Sequence, residues 1–189
     1  MNSIILVGIK HCGKSTQGRL LSGQLGLPFF DTDKVLEEQT GCTARQLYAE
    51  RGVEAFKAAE TEACRFIADT LSPSSSDAVI ATGGGICTNE AALDLLRPLG
   101  TFVFLIASER IAANRIVQEA RMEDGKLVNL PAYIAKKNPQ SLEEVRAFFH
   151  EFYVEREKQY ASLANVSIRM GNAPKQVNAR RILALLRRS

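Results

Sequence analysis

The residues best suited to chemistry stand together near the start of the chain: Gly8-Ile9-Lys10-His11-Cys12-Gly13-Lys14-Ser15-Thr16. The run fits G-x-x-x-x-G-K-[ST], a loop whose backbone N–H groups wrap a phosphate chain. Gly8 and Gly13 let the backbone turn inward on an anion without a side-chain clash, and Cys12 lies inside the loop. Lys14 supplies charge for the β- and γ-phosphates, the Ser15 hydroxyl is a ligand for Mg²⁺, and Thr16 completes the motif. The loop reads as a site for a nucleoside triphosphate. A pair of acids, Asp31 and Asp33, closes the apolar run Leu27-Pro28-Phe29-Phe30. Open α/β sheets place ligands at the carboxyl ends of strands, so Asp31 is a candidate metal support and Asp33 a candidate for the second substrate. Either acid also fits a plain helix cap for a helix starting near Lys34. In Thr82-Gly83-Gly84-Gly85, bare backbone would let a ligand approach closely, although a glycine run alone equally marks a tight turn.

These groups need elements to hold them. Ile4-Ile5-Leu6-Val7 reads as a buried strand, and Gln17 to Leu25 continues the phosphate loop with helical spacing. Ala78-Val79-Ile80-Ala81, Thr101 to Ile106 and Val166-Ser167-Ile168 read as further strands. Residues 34–38 and 44–51 look helical, divided at Thr40-Gly41, with a second break at Gly52. A longer helix over 54–71 carries the apolar stripe Phe56, Ala59, Ala63, Phe66, Ile67 and Leu71. Lys57 lies beside that stripe near the helix start, a poor place for a cation by the dipole rule, which hints at a use, although a solvated surface lysine is the commoner reading of such a position. Ser72 to Ser76 reads as a short surface loop, and Asn89 as the cap of a helix over 91–97. Ser108 and Glu109 open a helix assigned Arg110, Arg115 and Arg121. Ser141-Leu142-Glu143-Glu144 has capping-box form and starts a helix turning Val145, Phe148, Phe149, Phe152, Tyr153 and Tyr160 to the core. His150 is read as lying among those core residues, and His11 as a variable loop position. Pro174 to Leu186 is the last helix, with Arg180-Arg181 and Arg187-Arg188 facing solvent. From Met122 to Gln140 periodicity fails, which marks a lid or a disordered loop. Strands alternating with helices give an α/β fold with a parallel sheet.

Bulk properties narrow the function. A chain of 189 residues is expected to form one domain, 1–189, and its net charge of +3 favours small anionic substrates over nucleic acid. The four cysteines, Cys12, Cys42, Cys64 and Cys87, are scattered and form no zinc or disulfide pattern, as expected of reduced thiols in a cytosolic protein. The chain begins directly with a core strand and shows no apolar run of membrane length, so a cytoplasmic, soluble protein without a signal peptide is expected.

Taken together, the phosphate loop, Phe29-Phe30-Asp31-Thr32-Asp33, Ala81-Thr82-Gly83-Gly84-Gly85 and Arg156 four residues before Tyr160 resemble the shikimate kinases of the nucleoside-monophosphate-kinase-like P-loop group. The likeness runs over roughly 2–120 and 141–187. Arg156 to Ala164 follows the family's R-x-P-L-Y-x-x-x-A, with Lys158 for Pro and Gln159 for Leu. The resemblance implies a three-layer fold with a five-stranded parallel sheet of order 2-3-1-4-5, a mobile lid at about 121–140, and substrate-binding helices at about 33–62. It implies that Lys14 and Ser15 serve ATP and Mg²⁺ and that Asp31 supports the metal. Asp33 would bind hydroxyls of the acceptor and help deprotonate one, Gly83, Gly84 and Gly85 would line its pocket, and Arg156 would pair with its carboxylate. Arg115 would stack on adenine, and Asn172, Ala173 and Pro174 would close over the base of a monomeric enzyme.

Two departures bear on the acceptor. Lys57 in Gly52-Val53-Glu54-Ala55-Phe56-Lys57 replaces the family's substrate-binding arginine, losing the two-pronged bond to carboxylate, about 1–3 kcal/mol. The family's R-P-L-L lid signature is absent, which leaves Lys126 or Arg121 to meet the transferring phosphoryl group. The leading expectation is phosphoryl transfer from ATP to a hydroxyl of shikimate. The alternatives are a kinase of another small hydroxy or sugar acid, and a nucleotide-binding module without catalysis.

Overall fold

The computed structural model describes residues 2–71, 77–123, 125–171 and 173–187. The Ser72–Ser76 loop, Asp124 in the lid, Asn172 and Arg188 lie outside the described residues.

Strand β1 (Ser3–Val7) is buried at every position, as a strand covered on both faces must be. It pairs in parallel with β3 (Val79–Ala81) and β4 (Gly100–Ile106). Outside these lie β2 (Phe29–Asp31), which pairs with β3, and β7 (Val166–Arg169), which pairs with β4. The sheet order is β2-β3-β1-β4-β7, and β7 is its fifth strand in chain order, so the expected 2-3-1-4-5 arrangement is the one observed. Register brings Leu6, Ala81 and Asp31 level with one another. The residues that follow these strands therefore open onto the same edge.

The connections are α1 (Lys14–Leu25), α2 (Thr32–Thr40), α3 (Ala44–Leu71), α4 (Glu90–Leu96), α5 (Glu109–Glu119), α7 (Leu142–Leu163) and α8 (Lys175–Leu186). Right-handed crossovers put α1 and α8 on one face and α3, α4 and α7 on the other. The packing agrees: α1 lies against α8, α3 against α4, and α7 against β4. Tyr160 of α7 is fully buried and stacks on Phe104 of β4 at 5.4 Å between ring centres.

Local readings need six corrections. Helix α2 begins at Thr32, not Lys34, because Asp31 itself is the cap and accepts the Asp33 N–H at 3.2 Å. Asp31 and Asp33 are thus strand end and helix start, not two residues of one extended segment. On α3 the buried stripe is Glu60, Ala63, Cys64, Ile67 and Leu71, and Phe66 is 49% exposed. Arg121 leaves the helix and starts β5 (Arg121–Glu123), which pairs antiparallel with β6 (Lys126–Val128). The remainder of the 122–140 stretch carries a short helix, α6 (Ala132–Ala135), so it is not irregular throughout. His150 is exposed rather than core, and its Nδ1 lies 2.8 Å from Glu109 Oε1. The break at Gly52 is present: φ 82° and ψ −179° kink α3 there, a backbone conformation open to glycine.

Candidate active site

The phosphate loop joins β1 to α1 with Gly8 at φ 143° and Gly13 at φ 99°, the latter capping the helix. A Cβ on Gly8 would lie 2.8 Å from the Leu105 carbonyl oxygen and 2.9 Å from Cys12 Sγ, so the turn has no room for one. Lys14 is buried, and its Nζ donates to the Gly8 and Ile9 carbonyls at 2.8 and 2.9 Å, with Cys12 Sγ at 3.8 Å. The ammonium is thereby held within the loop that would wrap the phosphates. Thr16 is exposed on the first turn of α1. Arg115 of α5 donates to the His11 carbonyl, which places its guanidinium against the outside of the loop. His11 has a lowered pKa, chiefly from burial, with Lys10, Arg115 and Lys14 pushing the same way and Glu119 opposing.

Ser15 Oγ donates to Asp31 Oδ2 at 2.6 Å. The sequence motifs from two strand ends therefore meet as one hydroxyl and one carboxylate. No group of three or more His, Cys, Asp or Glu side chains forms a metal site among the described residues. A hydroxyl and a carboxylate are nevertheless the kind of sparse oxygen set that holds Mg²⁺ when phosphates complete the shell.

The acceptor side is built over Gly83. Its N–H donates to Thr32 Oγ1 at 2.9 Å, tying the end of β3 to the start of α2. A Cβ there would fall 2.8 Å from Asp33 Oδ1 and 2.9 Å from Glu60 Oε1. Two carboxylate oxygens thus flank one notch. Asp33 is reached by solvent but stands within the cleft, and the loss of water around it, with Asp31 next, raises its carboxyl above the ordinary range. Glu60 is 1% exposed, and burial pushes its carboxyl up to about 7, with Asp33 adding to the rise. Its Oε2 accepts from Asn89 Nδ2 at 2.9 Å, while Oε1 has no hydrogen-bond partner among the described residues. Such an orphaned buried oxygen is costly unless something donates to it. Sequence reading missed Glu60. The available signal was an acid falling on the buried stripe of α3.

Gly84 packs its backbone on the phosphate loop, where a Cβ would be 2.8 Å from the Lys10 nitrogen, and Gly85 faces open space. Lys57 is half-buried one turn before Glu60, and its charge opposes the rise in the Glu60 pKa. Arg156 donates to Cys87 Sγ at 3.1 Å and Gln159 Oε1 at 2.7 Å, and its guanidinium lies 5.1 Å over Phe152. Its buried Nε has no partner among the described residues. The structure therefore assembles Lys14, Ser15 and Asp31 on one side, and Asp33, Glu60 and Gly83 on the other. Lys126 is exposed on β6 opposite Glu123, and Arg121 is exposed on β5. Pro174 caps α8, where Asn178 Nδ2 holds the preceding turn through the Gly171 and Ala173 carbonyls at 3.3 and 3.2 Å.

A parallel sheet of this order, with a phosphate loop after its central strand and a hydroxyl–carboxylate pair beside it, defines a P-loop phosphotransferase. The family model described as shikimate kinase matches residues 10–187. Shikimate kinase 2 of Sodalis glossinidius is 34% identical over 152 residues, which is 80% of this chain and 81% of that protein. Shikimate kinase of Bacillus cytotoxicus is 29% identical over 167 residues, 88% of this chain and 94% of its own. The solved structure of shikimate kinase from Acinetobacter baumannii in complex with shikimate superposes with TM-score 0.76 at 26% identity, covering 98% of this chain and 93% of that one. The chain belongs to the shikimate kinase family, a family of ATP-using kinases.

Proposed function

We propose that the protein transfers the γ-phosphoryl group of ATP to a hydroxyl of shikimate, giving shikimate 3-phosphate. The observation that carries this is the notch over Gly83, flanked by Asp33 and Glu60 and one turn from the Ser15–Asp31 pair. A polyol hydroxyl seated there meets two carboxyl groups, and the related Acinetobacter enzyme binds shikimate.

Lys14 and the loop amides, including those of Gly13 and Ser15, hold the phosphates, and Arg115 with the Pro174 turn flanks the base, a role also proposed for Asn172, which lies outside the described residues. Ser15 and Asp31 would hold Mg²⁺, which when bound neutralises charge on the β- and γ-oxygens. Asp33, with its raised proton affinity, orients the attacking hydroxyl and takes up its proton. Arg156 and Lys57 pair with the acceptor carboxylate, and a lid cation, Lys126 or Arg121, meets the phosphoryl group on closure. The protein supplies positioning and charge rather than covalent chemistry. The same reading takes residues 1–189 as one monomeric cytoplasmic kinase domain, with the lid at about 121–140 and the acceptor-binding helices at about 33–62.

The test is ADP release with ATP, Mg²⁺ and shikimate beside a control without acceptor. Shikimate-dependent turnover is expected, and Lys14→Met should lower it by at least ~10²-fold. ADP release that shikimate does not increase would remove shikimate as acceptor. Because Lys57 offers one ammonium where the family has a forked guanidinium, other small hydroxy acids are the next acceptors to assay.

A further inference from the structure

A second cavity, distinct from the notch over Gly83, lies between the first half of α3 and the lid helix α6. It is a groove open to solvent, with a volume of about 560 Å³, and Arg45, Tyr48, Gly52, Val53, Leu130 and Lys136 are among the residues lining it. Small-molecule sites occupy roughly 300–1,000 Å³. Among the described residues, no acidic side chain lines it. Its two cations come from separate elements, and each is held by a neutral partner. Arg45 Nη1 donates to Asn129 Oδ1 at 2.7 Å, and Asn129 is itself fixed by a 2.8 Å bond from its Nδ2 to the Glu119 carbonyl. Lys136 Nζ donates to the Tyr48 hydroxyl at 2.5 Å and sits 4.7 Å over that ring. Neither cation pairs with a carboxylate among the described residues.

Long basic side chains on a surface ordinarily remain loose, because ordering them costs rotamer entropy. Here both are oriented in advance toward one space, and preorganised donors bind an anion at less entropic cost. Tyr48 accepts from Lys136, so its own proton is left to donate. Three donors of suitable chemistry therefore converge with no acceptor of matching charge among the described residues.

We propose that this cavity binds the oxyanion group of a small organic molecule, a carboxylate or a phosphate ester, gripped by Arg45, Lys136 and the Tyr48 hydroxyl. The oxyanion comes either from the acceptor itself or from a second anionic metabolite. Occupancy would pin α6 from both sides, since Tyr133 on the same helix stacks 3.7 Å from Phe152, beneath Arg156.

The test uses the full chain saturated with a non-hydrolysable ATP analogue and Mg²⁺, which keeps added anions off the phosphate loop. Citrate and inorganic phosphate are titrated calorimetrically at constant ionic strength into wild type and R45Q/K136Q. Saturable binding of at least one probe is expected, weakened at least ten-fold in the double variant. Both substituted positions are exposed, so the melting temperature should hold; the single variants R45Q and K136Q, each expected to weaken binding, serve if it does not. Absence of saturable binding, or equal affinity in wild type and variant, overturns the proposal. Displacement of the probe by shikimate identifies the acceptor as the source, whereas simultaneous binding identifies a separate metabolite; either outcome supports the site. The readout is binding, so a protein inactive toward shikimate fails the kinase reading and leaves this one standing.

Discussion

Glu60 holds a carboxyl group where water cannot reach it, with one oxygen bonded to Asn89 and the other aimed at the notch over Gly83. Its raised pKa has a consequence for stability with a definite sign. The native state keeps a proton that the unfolded chain releases above its ordinary value of 4.5, so stability is fullest below that pH and falls as pH rises through about 7. The size follows from the shift, about 3 kcal/mol at ~1.4 kcal/mol per unit. Glu60→Gln keeps an acceptor for Asn89 and removes the titration. Wild type should therefore lose stability relative to Glu60→Gln between pH 5 and 8 in denaturant titrations. Parallel curves for the two proteins would show that Glu60 does not titrate in that range. The same variant should raise the acceptor KM several-fold while leaving the ATP KM unchanged, because the orphaned oxygen belongs to the acceptor side.

At the scale of elements, Asp31 joins two jobs that the sequence presents as alternatives. It caps α2 through the Asp33 N–H and also receives the Ser15 hydroxyl from α1. Asp31→Ala should cost about 1–2 kcal/mol of stability as a lost cap, and should also weaken the Mg²⁺ dependence of turnover. Ser141→Ala, at the start of α7, removes a cap bond of 3.2 Å to the Glu144 N–H and should cost about 1 kcal/mol with kinetics unchanged. The two variants together separate a cap from a cap that is also a ligand. Strand runs such as Ile4 to Val7 and box signals such as Ser141 to Glu144 were legible because they are local patterns. The phosphate loop and Asp31-Thr32-Asp33 were legible for the same reason. What was not legible depends on partners distant in sequence. Phe66 carries an apolar side chain at helical spacing, yet the face α3 turns to the core is fixed by α4 and includes Glu60 instead. The β5–β6 hairpin has only three residues per strand, none of them buried, too few for alternation to show. His150 falls between buried aromatics in sequence, but one step round the helix carries it out to Glu109.

For the molecule as a whole, the question is how the nucleotide half and the acceptor half are kept in register. The sheet aligns them, since Leu6, Ala81 and Asp31 stand level and Thr82 donates to the Leu6 carbonyl through both its N–H and its hydroxyl, at 3.1 Å each. The final contact is backbone on backbone, Gly84 against Lys10. A methyl group at Gly84 would sit 2.8 Å from the Lys10 nitrogen, and neither partner is a flexible side-chain end that can swing aside. Either the phosphate loop or the glycine turn must shift. Gly84→Ala should therefore raise the KM for ATP and for the acceptor together and lower the melting temperature. Gly85→Ala is the control, because a Cβ there meets nothing within 4 Å and its φ of −119° suits any residue. It should leave stability and the ATP KM unchanged, and raise the acceptor KM alone if the acceptor lies over that glycine. Steady-state kinetics with both substrates varied, alongside thermal melts, decides the matter. If Gly84→Ala disturbed only one of the two KM values, the halves would be aligned by the sheet alone and the Gly84–Lys10 contact would be incidental.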